Sequence, residues 1–111
     1  GLGVFPRGIW EMVCLLSGTA KLPPPQAVAC ATGNTARAIG LKDVGTLAEG
    51  KCADLIICDA PLGGTGDDAG ASIAEGTVPG VSMVLIDGAV MHEGAAVNTA
   101  PPKRAAVRIR V

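Results

Sequence analysis

The chain has 111 residues, of which 49% are hydrophobic, and a formal net charge of -1. This length allows one domain at most. A nearly neutral chain whose aromatic residues are Phe5 and Trp10 alone has neither the positive field nor the stacking surfaces that bind nucleic acid. The sequence contains no apolar run of the ~20 residues that a membrane-spanning helix needs and no signal-peptide pattern. We therefore expect a cytoplasmic protein with no nucleic-acid or membrane partner.

The first forty residues predict helices. A helix over residues 7–17 follows a proline, and its apolar residues recur at helical spacing. The prolines at 23–25 suit the first turn of a second helix, which small side chains extend to Ala31. A short helical turn over residues 35–39 would then end at Gly40, a residue suited to a C-terminal cap.

Further along the chain the apolar pattern becomes that of strands. Residues 55–58 form a continuous apolar run, which is typical of a strand covered on both faces. Two apolar runs, 81–86 and 89–91, flank Asp87 and Gly88, and this arrangement predicts a β-hairpin with a two-residue turn. A sheet of about four strands with two open edges would require further strands from elsewhere.

The last residues alternate apolar and basic side chains. Val107, Ile109 and Val111 alternate with Arg108 and Arg110. This period of two predicts either a half-exposed strand or an extended arm. We expect its arginines to face solvent.

Four cysteines occur without a C-x-x-C pair and without the features of a small secreted scaffold. This pattern favours buried free thiols. The cysteines are Cys14, Cys30, Cys52 and Cys58.

The polar residues predict structural roles. The glycine-rich residues 63–66 lack the Gly-Lys-Ser/Thr ending of a phosphate-binding loop, so we expect a turn there. Asp67 and Asp68 suit the N-terminus of a helix, where the dipole favours negative charge. Asp54 and Asp59 flank the apolar run, and carboxylates in such turns accept backbone hydrogen bonds.

His92 is the single histidine of the chain. Its neighbour Glu93 would point to the opposite side of a strand, and no other metal-binding residue stands at a suitable spacing. We therefore expect His92 to be structural, and we predict no catalytic and no metal-binding residue in this chain.

Three segments occur in the order found in metal-dependent amidohydrolases, and the chain resembles that family over nearly its whole length. The segments are residues 31–41 (ATGNTARAIGL), 45–55 (GTLAEGKCADL) and 84–88 (VLIDG). Residues 59–63, the insert through 78–82 and the tail at 101–106 look most like the enamidase branch, which opens a partially reduced oxonicotinate ring.

The resemblance implies an α+β fragment of a composite fold. Residues 1–41 would be the terminal helices of a (β/α)8 barrel, and residues 42–111 would be the C-terminal strands of a β-sandwich with its tail. A full barrel takes about 250 residues. The chain starts at Gly1 without an initiator methionine, so we expect its main partner to be a missing N-terminal part of the same protein.

For that longer parent the resemblance implies a metal-dependent hydrolase of non-peptide C–N bonds, acting by ring opening on a small cyclic amide or enamide. It implies a divalent metal, Zn or Fe, whose histidine, lysine and aspartate ligands have no match in this chain. A homo-oligomer is also expected. Arg7 would lie in the loop after the last barrel strand, where its guanidinium could receive a substrate carboxylate. A plain surface role for Arg7 remains the alternative.

Two further interpretations stay open. The parent could be imidazolonepropionase-like or dihydroorotase-like, since these relatives share the same signature, although the insert at 61–80 favours the enamidase branch. The chain could also be a non-catalytic structural or interaction domain. In either case we expect the chain alone to be inactive.

Overall fold

The computed structural model describes residues 8–94 and 99–109. In chain order the elements are α1 (Ile9–Gly18), α2 (Pro24–Ala31), α3 (Gly33–Ala38), β1 (Leu55–Asp59), α4 (Ala69–Ala74), β2 (Gly80–Ile86) and β3 (Ala89–Glu93). The strands form one antiparallel sheet in the order β1-β2-β3. Across the described ranges, no helix combines the length and apolarity needed to cross a membrane.

The helices follow the sequence pattern with shifted ends. α1 begins two residues later than predicted, because Gly8 before it has a φ of 97° and lies outside the helical region. α2 begins at Pro24, as predicted from the proline run. α3 begins two residues before the predicted turn. Only Thr32 separates it from α2, so helical structure starts again at Gly33.

Gly40 caps α3 as predicted. Its φ is 80°, in the left-handed region. The Gly40 amide donates to the carbonyl of Arg37 (3.3 Å), and the Leu41 amide donates to that of Ala36 (2.8 Å). These two bonds form a Schellman motif, which satisfies carbonyls that the helix itself leaves unpaired.

The core lies among the helices. Val13 of α1, Ala27 of α2 and Ile73 of α4 are buried together. α4 falls between two strands in the sequence but packs against α1 and α2. Its end approaches α1 closely, since a Cβ added to Gly18 would lie 2.7 Å from the Cα of Gly76. Helix α4 thus joins the part of the chain that carries the sheet to the helical layer.

The predicted hairpin is confirmed. Asp87 (φ 50°) and Gly88 (φ 77°) form the turn between β2 and β3, and positive φ at both positions is what a type I′ turn requires. The turn is also tied to the residues before β1. The Asp87 amide donates to Oδ1 of Asp54 (2.7 Å), and the Gly88 amide donates to the carbonyl of Ala53 (3.0 Å).

The expectation that β1 is covered on both faces is wrong for this chain. Ile56 is 48% exposed and Ile57 is 39% exposed. In the described part of the chain, β1 makes its extensive contacts with β2 alone, so its faces have little packed over them. The apolar run correctly predicted that a strand forms here. It did not predict that residues of this chain leave the strand uncovered.

The first of the two forms predicted for the end of the chain is not seen in its described part. Residues 105–109 form no strand there. Arg108 does not simply face solvent, since its guanidinium contacts Glu93 at 2.7 Å. Arg110 and Val111 lie outside the described residues.

The four cysteines are free, but the expectation that all are buried is wrong. Cys14 is buried, Cys30 is exposed, and Cys52 and Cys58 are half-buried. Cys30 is exposed in the last turn of α2, one turn after the buried Ala27. Burial raises the pKa of the Cys14 thiol; burial and then the neighbouring charge of Asp59 raise that of Cys58. Neither thiol is therefore primed as a nucleophile.

Candidate functional site

Of the two side chains singled out from the sequence, the structure describes the single histidine. Arg7, the predicted substrate-binding residue, lies outside the described residues, so its role stays a prediction. His92 is half-buried on β3, and its Nε2 lies 3.1 Å from the carbonyl oxygen of Gly94. Among residues 8–94 and 99–109, no group of three histidine, cysteine, aspartate or glutamate side chains is placed to hold a metal ion.

The glycine-rich stretch leads into the start of α4. Asp68 is the residue before that helix, and its Oδ1 accepts a hydrogen bond from the amide of Ala71 (2.8 Å). This is an N-cap contact, which satisfies a helix donor that has no partner within the helix. The prediction of a helix start at Asp67 and Asp68 is thus confirmed, and Asp68 is the one that caps it.

The most developed polar site joins the end of β1 to the tail. The Asp59 side chain is 12% exposed and receives two hydrogen bonds from the Arg104 guanidinium, from Nε to Oδ2 (2.7 Å) and from Nη2 to Oδ1 (2.8 Å). The Arg104 amide also donates to Oδ2 (3.0 Å). This bidentate geometry matches the fork of the guanidinium to both carboxylate oxygens. We call this arrangement the tail clamp.

The tail clamp extends to the loop before α4. Nη2 of Arg104 donates to the carbonyl of Asp67 (2.7 Å), and Nζ of Lys103 donates to that of Gly66 (3.0 Å). Arg104 therefore holds both the end of β1 and the residue that precedes the α4 cap. The clamp fixes the position of a loop and contains no group free to react.

Backbone contacts seat the tail beside the residues that follow β1. The Leu62 amide donates to the carbonyl of Pro101 (2.7 Å), and the Lys103 amide donates to that of Ala60 (2.8 Å). Between them, Pro61 and Pro102 form an isolated antiparallel bridge. At Gly80 an added Cβ would lie 2.6 Å from the Cα of Pro102, so a residue without a side chain is required there.

The electrostatics of the clamp keep Asp59 ionised. Hydrogen bonding from the Arg104 side chain is the main cause that holds the pKa of Asp59 well below its usual range, and backbone amides add to it. The same pair raises the pKa of Arg104. A carboxylate so stabilised is a poor proton acceptor near neutral pH, so Asp59 does not fit the role of a general base.

Arg104 is the residue that the sequence did not reveal. A Lys-Arg pair after two prolines signals only a basic tail. Its partner Asp59 lies 45 residues earlier, and no spacing rule connects the two. The predictions for the aspartates were more successful, since Asp54 and Asp59 both accept backbone hydrogen bonds.

Two open clefts flank the helical layer. One, of about 250 Å³, is lined by α3 and the loop after it and carries Arg37, Lys42 and Lys51. The other, of about 650 Å³, lies between α1 and the end of α4 and carries Trp10 and Glu75. Cys14 and Glu11 also line the second cleft, but burial raises the pKa of the Cys14 thiol, so this thiol is not an activated nucleophile.

Comparison with known proteins identifies where such an arrangement of helices and sheet occurs. The amidohydrolase family pattern matches residues 5–91. Enamidase of Eubacterium barkeri is 47% identical over 96% of this chain, which corresponds to 27% of the enamidase sequence. Imidazolonepropionase of Shouchella clausii is 36% identical over 77% of this chain and 19% of its own length.

A solved structure agrees with the sequence matches. The crystal structure of enamidase, described as a member of the amidohydrolase superfamily, superposes with a TM-score of 0.86 at 44% identity and covers 95% of this chain. The chain spans 27% of that structure, about a quarter of the length of the enzyme it matches. These relatives are hydrolases of one superfamily, and its fold is the one seen here. The chain belongs to the amidohydrolase family.

Proposed function

We propose that this chain is the C-terminal portion of a metal-dependent hydrolase that acts on non-peptide C–N bonds and opens a cyclic amide or enamide ring, as an enamidase-like enzyme. The observation that carries the proposal is the 47% identity to enamidase over 96% of the chain. Membership of the amidohydrolase family favours an enzyme as the parent over a non-catalytic interaction domain.

Within that enzyme the role of these residues is architectural. The helices would complete the wall of a (β/α)8 barrel, and the strands would complete a β-sandwich shared with the other end of the protein. Apolar side chains left open in this chain support the proposal. On α1, Ile9 (60% exposed), Met12 (52%) and Leu15 (50%) recur every third residue, and β1 exposes Ile56 and Ile57. Surfaces of this kind are usually covered by another part of a protein.

The divalent metal of the parent, Zn or Fe, would be held by residues outside this chain. The described residues do not fit a metal site, because their one histidine contacts the Gly94 carbonyl and no further ligands gather around it. No step of the hydrolysis is therefore assigned to them. A cytoplasmic location and a homo-oligomeric state are parts of the same proposal.

A second candidate is an imidazolonepropionase-like hydrolase. The match to imidazolonepropionase covers 77% of the chain at 36% identity. It is weaker than the enamidase match in both respects, so the enamidase-like activity is preferred.

Substrate profiling of the complete parent protein tests the proposal. The purified, metal-analysed enzyme is assayed against a cyclic enamide, an imidazolone and a dihydropyrimidine ring. We expect the cyclic enamide to be opened with the highest kcat/KM. Fastest opening of the imidazolone would replace the first candidate by the second, and failure to open any of the three by metal-replete enzyme would contradict both.

The role of Arg7 has its own test. If its guanidinium receives a substrate carboxylate, Arg7→Ala raises KM for a carboxylate-bearing ring by about tenfold or more, as expected for a lost charge-assisted contact. Arg37→Ala, which removes an exposed arginine on α3, is the matched control and leaves KM unchanged. An unchanged KM in Arg7→Ala would remove the assignment.

A further inference from the structure

Helix α4 is too short to be stable without outside contacts. It has six residues, whereas isolated helices shorter than about 12 residues are marginal in water. Its place on α1 and α2 depends on the buried side chain of Ile73 and on what holds its two ends. At the C-terminal end, Gly76 and Gly18 of α1 approach so closely that neither backbone leaves room for a side chain on Gly18. A contact of this kind tolerates little displacement of α4.

The loop before α4 is poorly restrained by its own sequence. Residues 63–66 include three glycines, and glycine loses more conformational freedom than other residues when a chain becomes ordered. The loop nevertheless lies directly against the helix, since a Cβ added to Gly66 would be 2.9 Å from both the amide nitrogen and Oγ of Ser72. Ser72 is buried. The position of Gly66 and the position of α4 are therefore linked.

The tail supplies contacts that hold this loop. Nζ of Lys103 donates to the carbonyl of Gly66 (3.0 Å), and Nη2 of Arg104 donates to the carbonyl of Asp67 (2.7 Å). The same guanidinium binds both carboxylate oxygens of Asp59 at the end of β1. Two neighbouring residues of the tail thus connect the end of the sheet to the start of α4.

The attachment of the tail to β1 is more than a surface ion pair. The Arg104 side chain is 69% exposed, and an exposed pair alone contributes little to stability. Here the Asp59 side chain is 12% exposed, the contact is bidentate, and the Arg104 amide donates to the same carboxylate (3.0 Å). The backbone bonds of Leu62 and Lys103 hold the preceding residues of the tail.

One contact restrains the loop without the tail. Oγ1 of Thr65 donates to Oε2 of Glu75 (2.8 Å), which connects the loop to the end of α4. This hydrogen bond is exposed and joins two side chains, so water can replace it at little cost in free energy. We therefore expect the tail to contribute more than this bond to the position of the loop.

We propose that residues 101–104 act as a strap that keeps α4 docked on α1 and α2, with Lys103 and Arg104 as positioning residues that act through Gly66 and Asp67. Release of the strap frees the glycine-rich loop, and the short helix then leaves the helical layer more often. The inference goes beyond the proposed function, because no hydrolytic group takes part in it and its test does not depend on the substrate of the parent.

Hydrogen exchange of the complete protein, followed by mass spectrometry, tests the proposal. Arg104→Ala should raise the exchange rates of the amides of residues 72–77, which bond to carbonyls within or just before α4, by about tenfold or more. Lys103→Ala, which removes one contact and leaves the pair with Asp59 intact, should raise them by about threefold. If Arg104→Ala does not fold, this second variant decides the result.

Two controls separate undocking of α4 from a general loss of stability. Arg108→Ala removes an arginine that lies beyond the strap and contacts Glu93, and it should leave the exchange of α4 unchanged. Within each variant, the amides of residues 84–91 of the β2–β3 hairpin should exchange as in the wild type, because the hairpin turn is held by Asp54 and not by the tail.

Faster exchange confined to the tail, the loop and α4 supports the strap. If α4 stays protected in both variants, the proposal is overturned, and the bond between Thr65 and Glu75 is the contact that holds the loop. An equal rise in the hairpin would also overturn it, because the tail would then support the whole region and not the position of α4.

Discussion

The helical layer and the sheet are stabilised in different ways. In the helical layer, Val13, Ala27 and Ile73 are each 4% exposed or less and pack together from three helices. In the sheet, Ile56 and Ile57 stay open, and the end of β1 is held by the bidentate contact of Asp59 with Arg104. The helical layer thus has an apolar core, although α1 also leaves apolar side chains open on its outer side, whereas the end of the sheet is held by a polar clamp.

The open surfaces bear on function. Both regions leave apolar side chains exposed, on α1 in the helical layer and on β1 in the sheet, and such surfaces are suited to contact the rest of a larger protein. Helix α4 and the tail clamp join the two regions, since Arg104 contacts Asp67 immediately before the Asp68 cap. Substitutions in each region therefore test whether a loss of stability in one region also affects the other.

The largest effect is expected in the helical core. Ile73→Ala removes a buried side chain from the contact of α4 with α1 and α2 and should lower the free energy of unfolding by about 2–4 kcal/mol. Ile86→Ala, on a β2 residue that is 53% exposed, is the matched control and should cost under about 1 kcal/mol. Urea denaturation measures both. Equal losses would contradict the distinction between a buried and an open position.

The next effect is expected at the tail clamp. Asp59→Asn removes the charge that orients the Arg104 fork and should release the tail, so the amides of Lys103 and Arg104 should exchange hydrogen faster than in the wild type. Asp43→Asn, at an exposed position, is the control and should leave the tail protected. Hydrogen exchange followed by mass spectrometry gives both results. A tail that stays protected in Asp59→Asn would show that the clamp does not hold it.

The clamp also predicts a pH dependence. Because the folded pKa of Asp59 lies below its unfolded value, its contribution to stability is present above about pH 4 and is lost as the pH falls toward the folded pKa. The tail should therefore stay protected from pH 8 to about pH 5 and loosen in stronger acid. Asp59→Asn should lose this component of the acid response. An equal loss of protection in the variant on acidification would assign the effect to other groups.

A smaller effect is expected at the junction. Asp68→Ala removes the N-cap of α4 and should cost about 1 kcal/mol. Asp67→Ala is the control, because it removes the same charge one residue earlier while the carbonyl that receives Arg104 remains. Thermal unfolding of the two variants separates the loss of stability caused by removing the cap from the loss caused by removing a negative charge. A loss in Asp67→Ala as large as that in Asp68→Ala would contradict the assignment of the cap.

The sequence predicted the features that depend on neighbouring residues. The Asp87-Gly88 turn, the proline start of α2 and the Gly40 cap each follow from a few adjacent residues and their backbone preferences. Features that depend on distant residues were not predicted. The pairing of Asp59 with Arg104 spans 45 residues, and the docking of α4 on α1 depends on a contact between Gly18 and Gly76.

The error on β1 has a physical cause of the same kind. An apolar run indicates that a strand needs to be buried. It does not indicate whether the residues that cover the strand belong to the same part of the protein. The role of Arg104 likewise required the fold, because no residue near it in the sequence marks Asp59 as its partner.

The most direct test of the proposed architectural role compares two proteins in one assay. Opening of a cyclic enamide is measured for the complete protein and for these 111 residues alone, each supplied with zinc or iron(II). We predict turnover by the complete protein and none above the buffer rate by the isolated chain. Metal-dependent turnover by the isolated chain would contradict the claim that the reactive groups lie outside it.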